Sequence, residues 1–178
     1  MKNITCSFAG YRPQKLSILY DELSSPCVLL KRRLKSEIER MIENNNVATF
    51  ISGMAMGIDL IAAEIVLIVK KERPYDDIRL VTAIPFEGQD DSWCGEYRKR
   101  YRHVLDMADE QVIISEYYTR ACMYERNRYM VDNSDYIIAV FDGKSGGTKY
   151  TLDYAIKRGV GSVVIDPRDF LFFDRLVV

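Results

Sequence analysis

Histidine and closely spaced cysteines are scarce in this sequence. Among 178 residues there is one histidine, His103, and the four cysteines, Cys6, Cys27, Cys94 and Cys122, form no CxxC pair. Zinc sites and histidine-based triads are built from residues that are largely missing here. Isolated thiols are typical of a reducing compartment, whereas a disulfide framework needs paired cysteines. We therefore expect no metal site and no disulfide-based fold.

Long uncharged apolar runs are also missing. The longest apolar stretch, residues 60–69, is interrupted by Glu64, whereas a membrane-spanning helix needs about 20 consecutive apolar residues. Met1 is followed almost at once by a strand-like run, without the pattern of a secretion signal. We therefore expect a cytoplasmic protein without a membrane partner.

An excess of positive charge is the third absence. The chain has 25 basic and 26 acidic residues, which gives a formal net charge of −1. Proteins that bind nucleic acid mainly through electrostatics are usually strongly basic. We therefore do not expect nucleic acid to be the principal partner.

Strand-like and helix-like runs alternate along the chain, and 48% of the residues are hydrophobic. Strands are predicted at residues 3–9, 47–52, 78–84, 111–115, 135–141 and 160–166. Helices are predicted at residues 31–43, 58–71, 91–107, 122–132 and 147–158. This alternation predicts a single Rossmann-like domain over residues 1–178, a three-layer α/β/α fold with a mostly parallel sheet. The apolar tail, residues 170–178, is expected to pack on the body or on a partner.

Glycine-rich or polar loops follow four of the predicted strands. Ligands of open α/β sheets bind outside the carboxyl ends of the strands, so these loops supply the candidate ligand-binding residues. The candidates are Gly10 and Arg12 after the first strand; Ser52, Gly53, Met54, Gly57 and Asp59 after the second; Pro85, Phe86, Gln89 and Trp93 after the third; and Asp142, Ser145, Gly146, Gly147 and Thr148 after the fifth.

Phosphate is the ligand group that these loops favour. Glycine allows close backbone approach and positive φ angles, and a helix that begins behind the loop offers free N–H groups and a positive dipole end. Each loop alone also fits a simple tight turn. Thr148 can cap its helix or bond a phosphate oxygen, Arg12 can form a surface ion pair, and Trp93 can fill the core. The GxGxxG and GxxxxGK[ST] motifs are absent, which argues against an ordinary NAD dehydrogenase and a P-loop NTPase.

A basic stretch lies on the third predicted helix. Arg98, Lys99, Arg100 and Arg102 are interleaved with two tyrosines, a combination that can bind single-stranded nucleic acid. Because the net charge is close to zero, we favour a solvated helix face whose tyrosines point inward.

The ordered set GYRP, SGMAMGID, PFEGQ and ERNRYMVDNSDYIIAVFDGKSGGT resembles the YpsA-like branch of the SLOG superfamily, from about residue 9 to residue 154. That superfamily also contains the DprA/Smf proteins and the LOG phosphoribohydrolases. The resemblance implies a Rossmann-like fold and a site for a nucleotide-derived ligand such as NAD, ADP-ribose or a nucleoside monophosphate.

Comparison with the LOG pattern adds two binding residues and removes one catalytic residue. Arg126 falls on the LOG arginine that contacts substrate, and Asn127 replaces a LOG lysine. The LOG glutamate falls on Thr151, which cannot act as a carboxylate. Asp153 lies about 200° further round the helix and is expected to face elsewhere.

Three functions follow as hypotheses. The first is a sensor-type protein that binds the nucleotide-derived ligand. The second is a LOG-like N-glycosidase, for which the candidate catalytic carboxylates are Asp59, Glu87, Asp132 and Asp142. The third is single-stranded DNA binding, as in the DprA/Smf relatives. The apolar tail and the LOG relatives also favour a homodimer.

Overall fold

A computed structural model describes residues 3–93 and 95–171. Within them the sheet has six strands: β1 (Ile4–Ala9), β2 (Val47–Ser52), β3 (Arg79–Ile84), β4 (Glu110–Ile113), β5 (Tyr136–Val140) and β6 (Gly161–Ile165). The α-helices are α1 (Ser25–Asn45), α2 (Ile58–Glu72), α3 (Gly95–Met107), α4 (Cys122–Asp132) and α5 (Gly147–Arg158). Two 3₁₀ turns lie at Ser17–Tyr20 and Pro167–Phe170.

The six strands form one sheet in the order β4-β3-β2-β1-β5-β6, and every described pairing is parallel. The predicted Rossmann-like α/β fold is confirmed, and the sheet is entirely rather than mostly parallel. From β1 the chain moves outward to β4 on one side and then returns to β5 on the other. The switch in strand order therefore lies between β1 and β5, whose carboxyl ends open a crevice.

Helices cover both faces of the sheet because successive strand residues point to opposite faces. Phe50 and Ile138 pack with α1, α2 and α3, whereas their chain neighbours Ile51 and Ile137 pack towards α4 and α5. The rings of Phe8 and Phe50 stack at 5.8 Å between neighbouring strands. Both faces of the sheet are thus buried, which explains the continuous apolar strands in the sequence.

Two elements differ from their predicted bounds. Helix α1 begins at Ser25, six residues before the predicted start, because Pro26 occupies its first turn and Cys27 and Leu30 are buried. Helix α3 begins at Gly95 rather than at residue 91, since residues 88–93 form successive turns closed by backbone bonds from Asp91 and Trp93.

Parts of two sequence predictions lie outside the described residues. These are Cys94 and residues 172–178 of the apolar tail. No helix within residues 3–93 and 95–171 is long and apolar enough to cross a membrane.

Candidate functional site

A cavity of about 570 Å³ lies at the switch in strand order, outside the carboxyl ends of β1 and β5. We call it the main pocket. Its wall combines the loop after β1, the starts of α2 and α5, and the first half of α4. The lining residues are Phe8, Ala9, Gly10, Tyr11, Arg12, Gln14, Lys15, Ala55, Asp59, Arg120, Met123, Tyr124, Arg126, Asn127, Gly147, Thr148 and Thr151.

Seven of the sequence-predicted residues meet in this pocket although they are distant in the chain. They are Gly10, Arg12, Asp59, Arg126, Asn127, Gly147 and Thr148. Parallel strands bring their carboxyl ends to one edge of the sheet, so the loop after β1 and the starts of α2 and α5 face each other. Helix α4 then supplies Arg126 and Asn127 from across the crevice.

A buried ion pair forms the base of the main pocket. Arg126 is 4% exposed and Asp59 is 7% exposed, and Arg126 Nη1 lies 3.6 Å from Asp59 Oδ2. Arg126 Nη1 also donates to the Gly53 carbonyl, and its Nε donates to Asn127 Oδ1 at 2.8 Å. Burial raises the pKa of Asp59, while the charge of Arg126 and the Ala55 backbone oppose the rise. Since burial penalises a lone charge, the two residues depend on each other.

The loop after β2 packs against this ion pair on the side away from the main pocket. Ser52 Oγ donates to the Asp59 carbonyl at 2.7 Å and accepts from the Met54 N–H at 3.1 Å. A Cβ on Gly53 would lie 2.6 Å from Arg126 Cζ and 2.7 Å from Asp59 Oδ2, so only glycine fits without displacement. The predicted residues Ser52, Gly53 and Met54 therefore stand behind the pocket wall.

Gly57 joins the loops after β1 and β2. Its φ is +93°, and a Cβ there would lie 2.5 Å from the Tyr11 carbonyl. The next residue, Ile58, donates its backbone N–H to that same carbonyl at 3.2 Å. Gly57 was predicted to touch ligand, and the structure places it at a contact between loops outside the lining.

Three cations at the main pocket have no carboxylate partner. Within residues 3–93 and 95–171, no carboxylate lies within 4 Å of the cationic groups of Arg12, Lys15 or Arg120. All three are exposed, and among the described residues the Arg12 guanidinium donates a single hydrogen bond, to Met123 Sδ at 3.8 Å. Together with Arg126 the pocket holds four cations and one carboxylate. The low net charge of the chain thus hides a local excess of positive charge.

The amino-terminal end of α5 adds backbone donors to this positive region. Tyr150 donates to the Gly146 carbonyl at 3.0 Å, so the helix leaves the preceding N–H groups without an internal partner. Among the described residues no side chain caps the helix, and apart from the chain neighbours and the helix backbone no heavy atom lies within 4 Å of the position of a Cβ on Gly147. A Cβ on Gly146 would lie 2.6 Å from Lys15 Nζ. A cation beside a helix N-terminus is unfavourable unless an anion joins them.

The two departures from the LOG pattern contact each other. Thr151 Oγ1 donates to the Gly147 carbonyl at 2.9 Å and accepts from Asn127 Nδ2 at 2.9 Å. A neutral hydrogen-bonded pair thus occupies the lysine and glutamate positions. Asp153 is exposed and pairs with Lys149 at 2.6 Å, outside the pocket lining.

A second cavity of about 190 Å³ adjoins the main pocket and shares Arg12, Gln14 and Met123 with it. We call it the side pocket. Its remaining lining residues are Met56, Phe86, Gln89, Ser92, Trp93 and Tyr118. Three predicted residues, Phe86, Gln89 and Trp93, meet here rather than in the main pocket.

The loop after β5 is held by the contacts of Asp142, and residues 141–146 lie outside the linings of both pockets. Asp142 accepts a hydrogen bond from the Tyr11 hydroxyl and pairs with Lys144 at 2.7 Å. These partners, with Lys144 the larger influence, lower the pKa of Asp142 to about 2. The predicted residues Ser145 and Gly146 also lie outside the linings and are exposed.

Three further predicted residues are away from the pockets. Pro85 is buried at the end of β3, and the Glu87 side chain is exposed. Asp132 ends α4 and pairs with Arg158 at 2.8 Å, at the opposite end of that helix from the pocket. Of the four candidate carboxylates, only Asp59 therefore lines the main pocket.

Carboxylates pair with the three arginines of the basic stretch of α3. Arg98, Arg100 and Arg102 all form ion pairs, and Tyr101 is 2% exposed. The acidic partners are Glu22, Glu64, Asp90 and Asp91, at 2.6–3.2 Å. This arrangement agrees with the predicted solvated helix face, and it leaves Lys99 as the one basic residue of the stretch without a carboxylate partner among the described residues.

Sequence reasoning missed several pocket residues. Lys15 follows Arg12 in the same loop, and Arg120 precedes α4 in the loop after β4. Gln14, Tyr118 and Tyr124 were also missed. The loop after β4 was not considered because it contains no glycine. The one feature of the sequence that could have indicated it is Arg120, a basic residue in a loop at the carboxyl edge of the sheet.

The side chains at this site suit anion binding better than metal binding. Arginine, lysine and helix N–H groups are donors that bind phosphate oxygens. In the part of the chain that the structure describes, no three His, Cys, Asp or Glu side chains are grouped to hold a metal ion.

Solved structures of DNA processing protein A share the fold. The Streptococcus pneumoniae protein matches with a TM-score of 0.54 and 17% identity, over 93% of this chain and 51% of that protein. The Helicobacter pylori protein, described for its single-stranded DNA binding mode, gives a TM-score of 0.57 and 19% identity, over 97% of this chain and 73% of that protein. This chain spans about half of the first protein, and at such identities the likeness shows the fold alone.

Sequence comparison identifies the family. The bacterial protein YoqJ, an SPbeta prophage-derived protein of Bacillus subtilis, is 36% identical over 152 residues, which cover 78% of this chain and 88% of YoqJ. The profile of the YspA SLOG family, named YpsA, matches residues 6–162, which include every residue of the main pocket. The chain therefore belongs to the YspA SLOG family.

Proposed function

We propose that this protein binds a phosphate-bearing, nucleotide-derived ligand such as NAD, ADP-ribose or a nucleoside monophosphate, in the manner of a sensor. One observation carries the proposal: unpaired cations converge with an open helix N-terminus in a chain whose net charge is −1. Unpaired charges close together repel each other, and a bound phosphate would relieve that repulsion.

The phosphate would lie between the loop after β1 and the start of α5. Lys15 and Arg12 would neutralise it from one side, and the N–H groups of Gly147 and Thr148 would donate from the other. Arg126 is already bonded to Gly53 and Asp59, so it would act through its charge and by fixing the pocket base. The main pocket volume of about 570 Å³ falls within the ~300–1,000 Å³ typical of small-molecule sites.

Binding without chemistry is favoured by the residue at position 151. Thr151 is 3% exposed and already bonded to Asn127 and Gly147, so it offers neither a carboxylate nor a free hydroxyl. Stabilising an oxocarbenium-like sugar in the LOG manner needs a carboxylate at that place.

Calorimetric titration with ADP-ribose, NAD and AMP tests the proposal directly. Arg12→Ala and Lys15→Ala should each weaken binding roughly tenfold or more, because each removes a charge-assisted contact. Lys157→Ala is the matched control, since Lys157 is an exposed lysine in the last turn of α5, at the other end of that helix. Absence of binding to all three ligands up to millimolar concentration would reject the proposal.

An N-glycosidase is the second candidate function, and Asp59 is the observation that favours it. It is the one acidic side chain that lines the main pocket, and burial raises its pKa, as in many catalytic acids. Chromatography would then detect free base or nicotinamide released from AMP or NAD, and Asp59→Asn should abolish the release. If AMP and NAD both remain intact after prolonged incubation, the result would argue for binding without catalysis.

Single-stranded DNA binding has weaker support. The arginines of α3 are paired with carboxylates, so they offer little free positive charge to a nucleic-acid backbone. Salt-dependent retention of the protein on single-stranded DNA would be needed to favour this function.

A homodimer and a cytoplasmic location stay predictions from the sequence. Size-exclusion chromatography with light scattering measures the first, and cell fractionation measures the second. A dimer would show twice the chain mass of 20.6 kDa.

A further inference from the structure

We propose that the side pocket holds the planar heteroaromatic ring of the same ligand whose phosphate binds in the main pocket. The inference rests on the proposed function and makes it more specific: the ligand is a nucleotide recognised through its base as well as its phosphate. The two cavities share Arg12, Gln14 and Met123, so they lie side by side, as the phosphate and base sites of one nucleotide must.

Three aromatic side chains line the side pocket. Trp93 packs against the core, with its ring 5.0 Å from that of Tyr101 in an edge-to-face arrangement. Phe86 and Tyr118 form a second edge-to-face pair at 5.3 Å. Tyr118 is 66% exposed, so a large apolar ring is held at the surface where it has little to gain from core packing. Aromatic surfaces of this kind bind nucleobases by stacking.

A buried amide supplies the polar element of the side pocket. Gln89 is 5% exposed, and its Nε2 donates to the Met54 carbonyl at 2.9 Å. Its Oε1 has no donor among the described residues. Buried polar atoms without a partner are uncommon in folded proteins. A nucleobase brings ring N–H or amino donors, which a purely apolar ring would lack.

The size of the side pocket limits what it can hold. Its volume of about 190 Å³ is one third of the 570 Å³ of the main pocket, and lies below the ~300 Å³ of the smallest usual ligand sites. It is therefore an extension that takes a ring rather than an independent site for a whole nucleotide. Arg12 lies at the junction, where its guanidinium can serve the phosphate.

The experiment compares ligands with and without a base. Calorimetry measures binding of ribose 5-phosphate, AMP, CMP and nicotinamide mononucleotide to the full chain. At least one of the three nucleotides should bind roughly tenfold or more tightly than ribose 5-phosphate, because stacking adds to the phosphate contacts. In Tyr118→Ala and in Phe86→Leu this preference should fall several-fold, while ribose 5-phosphate binding stays unchanged.

Tyr117→Ala is the matched control. Tyr117 is the neighbouring tyrosine, 70% exposed, and lines neither pocket. It should keep the full preference for the base, and thermal melts should show that all three variants fold.

The outcomes separate this inference from the proposed function. Equal binding of ribose 5-phosphate and all three nucleotides would overturn the inference and leave phosphate binding intact. A preference for the base that survives both variants would place the ring elsewhere and also overturn it. No binding of these four compounds, of ADP-ribose or of NAD would reject the proposed function, and the inference with it.

Discussion

Replacement of Arg126 by methionine tests whether Arg126 and Asp59, the ion pair at the base of the main pocket, stabilise each other. The guanidinium is buried beside Asp59 and donates to Gly53 and Asn127. Methionine fills similar space but leaves the carboxylate buried without a counter-charge. Removing one partner of a buried pair typically costs about 3–5 kcal/mol. For a domain of this size the melting temperature should fall by roughly 6–20 °C.

The loss should depend on pH in a defined direction. Burial already raises the pKa of Asp59, and Arg126 opposes that rise, so the pKa rises further in the variant. A carboxyl group whose folded-state pKa lies above its unfolded value of about 4 destabilises the fold as pH rises through the folded-state pKa. The variant should therefore lose more stability near pH 8 than near pH 5, where protonation can neutralise Asp59.

Urea unfolding of the variant and the natural chain at about pH 5 and about pH 8 measures the effect. Asp59→Asn combined with Arg126→Met removes both charges, so the double variant should recover stability at pH 8 and lose the extra pH dependence. Arg126→Lys, which keeps the charge, provides a milder variant if methionine prevents folding. Equal destabilisation at both pH values, or no recovery in the double variant, would refute the reasoning.

Three other perturbations test the surroundings of the site. Gly53→Ala should destabilise the protein by about 1–3 kcal/mol, because the new methyl group meets Arg126; thermal melts measure it, and an unchanged melting temperature would contradict the close packing. Lys144 and, to a smaller extent, Tyr11 lower the pKa of Asp142 to about 2. The stability that this carboxylate contributes is therefore present above about pH 4 and is lost as the pH falls towards 2. Acid unfolding of Asp142→Asn should lack that part of the pH dependence. Arg100→Ala should cost about 2 kcal/mol, because a half-buried arginine that bridges two carboxylates contributes more than a surface pair; a loss below 0.5 kcal/mol in urea unfolding would contradict this.

The fold could be predicted from the sequence because its signals are local. Apolar strands that alternate with amphipathic helices require a parallel sheet covered on both faces. The bounds of β2, α4 and α5 agree with prediction residue for residue. The starts of α1 and α3 differ from the prediction. A proline lies in the first turn of α1, and consecutive turns precede α3.

The edge that carries the site could also be predicted, since glycine loops and helix starts follow the strands in the sequence. Gly10, Arg12, Gly147 and Thr148 were expected at this edge on that basis, and they line the main pocket. Arg126 came from the resemblance to the LOG pattern, because a residue inside a helix carries no local sign that it faces a ligand.

Tertiary structure alone decided which charges are free. In the sequence the arginines of α3 look as available as Arg12, Lys15 and Arg120. Among the described residues, the fold brings carboxylates to the arginines of α3 and none within 4 Å of the cationic groups of Arg12, Lys15 or Arg120. Coulomb energy depends on distance in space and on burial, neither of which is written in the order of residues. A parallel α/β domain with glycine-rich loops follows from the sequence alone, whereas the packing of those loops leaves Arg12, Lys15 and Arg120 without a carboxylate partner among the described residues.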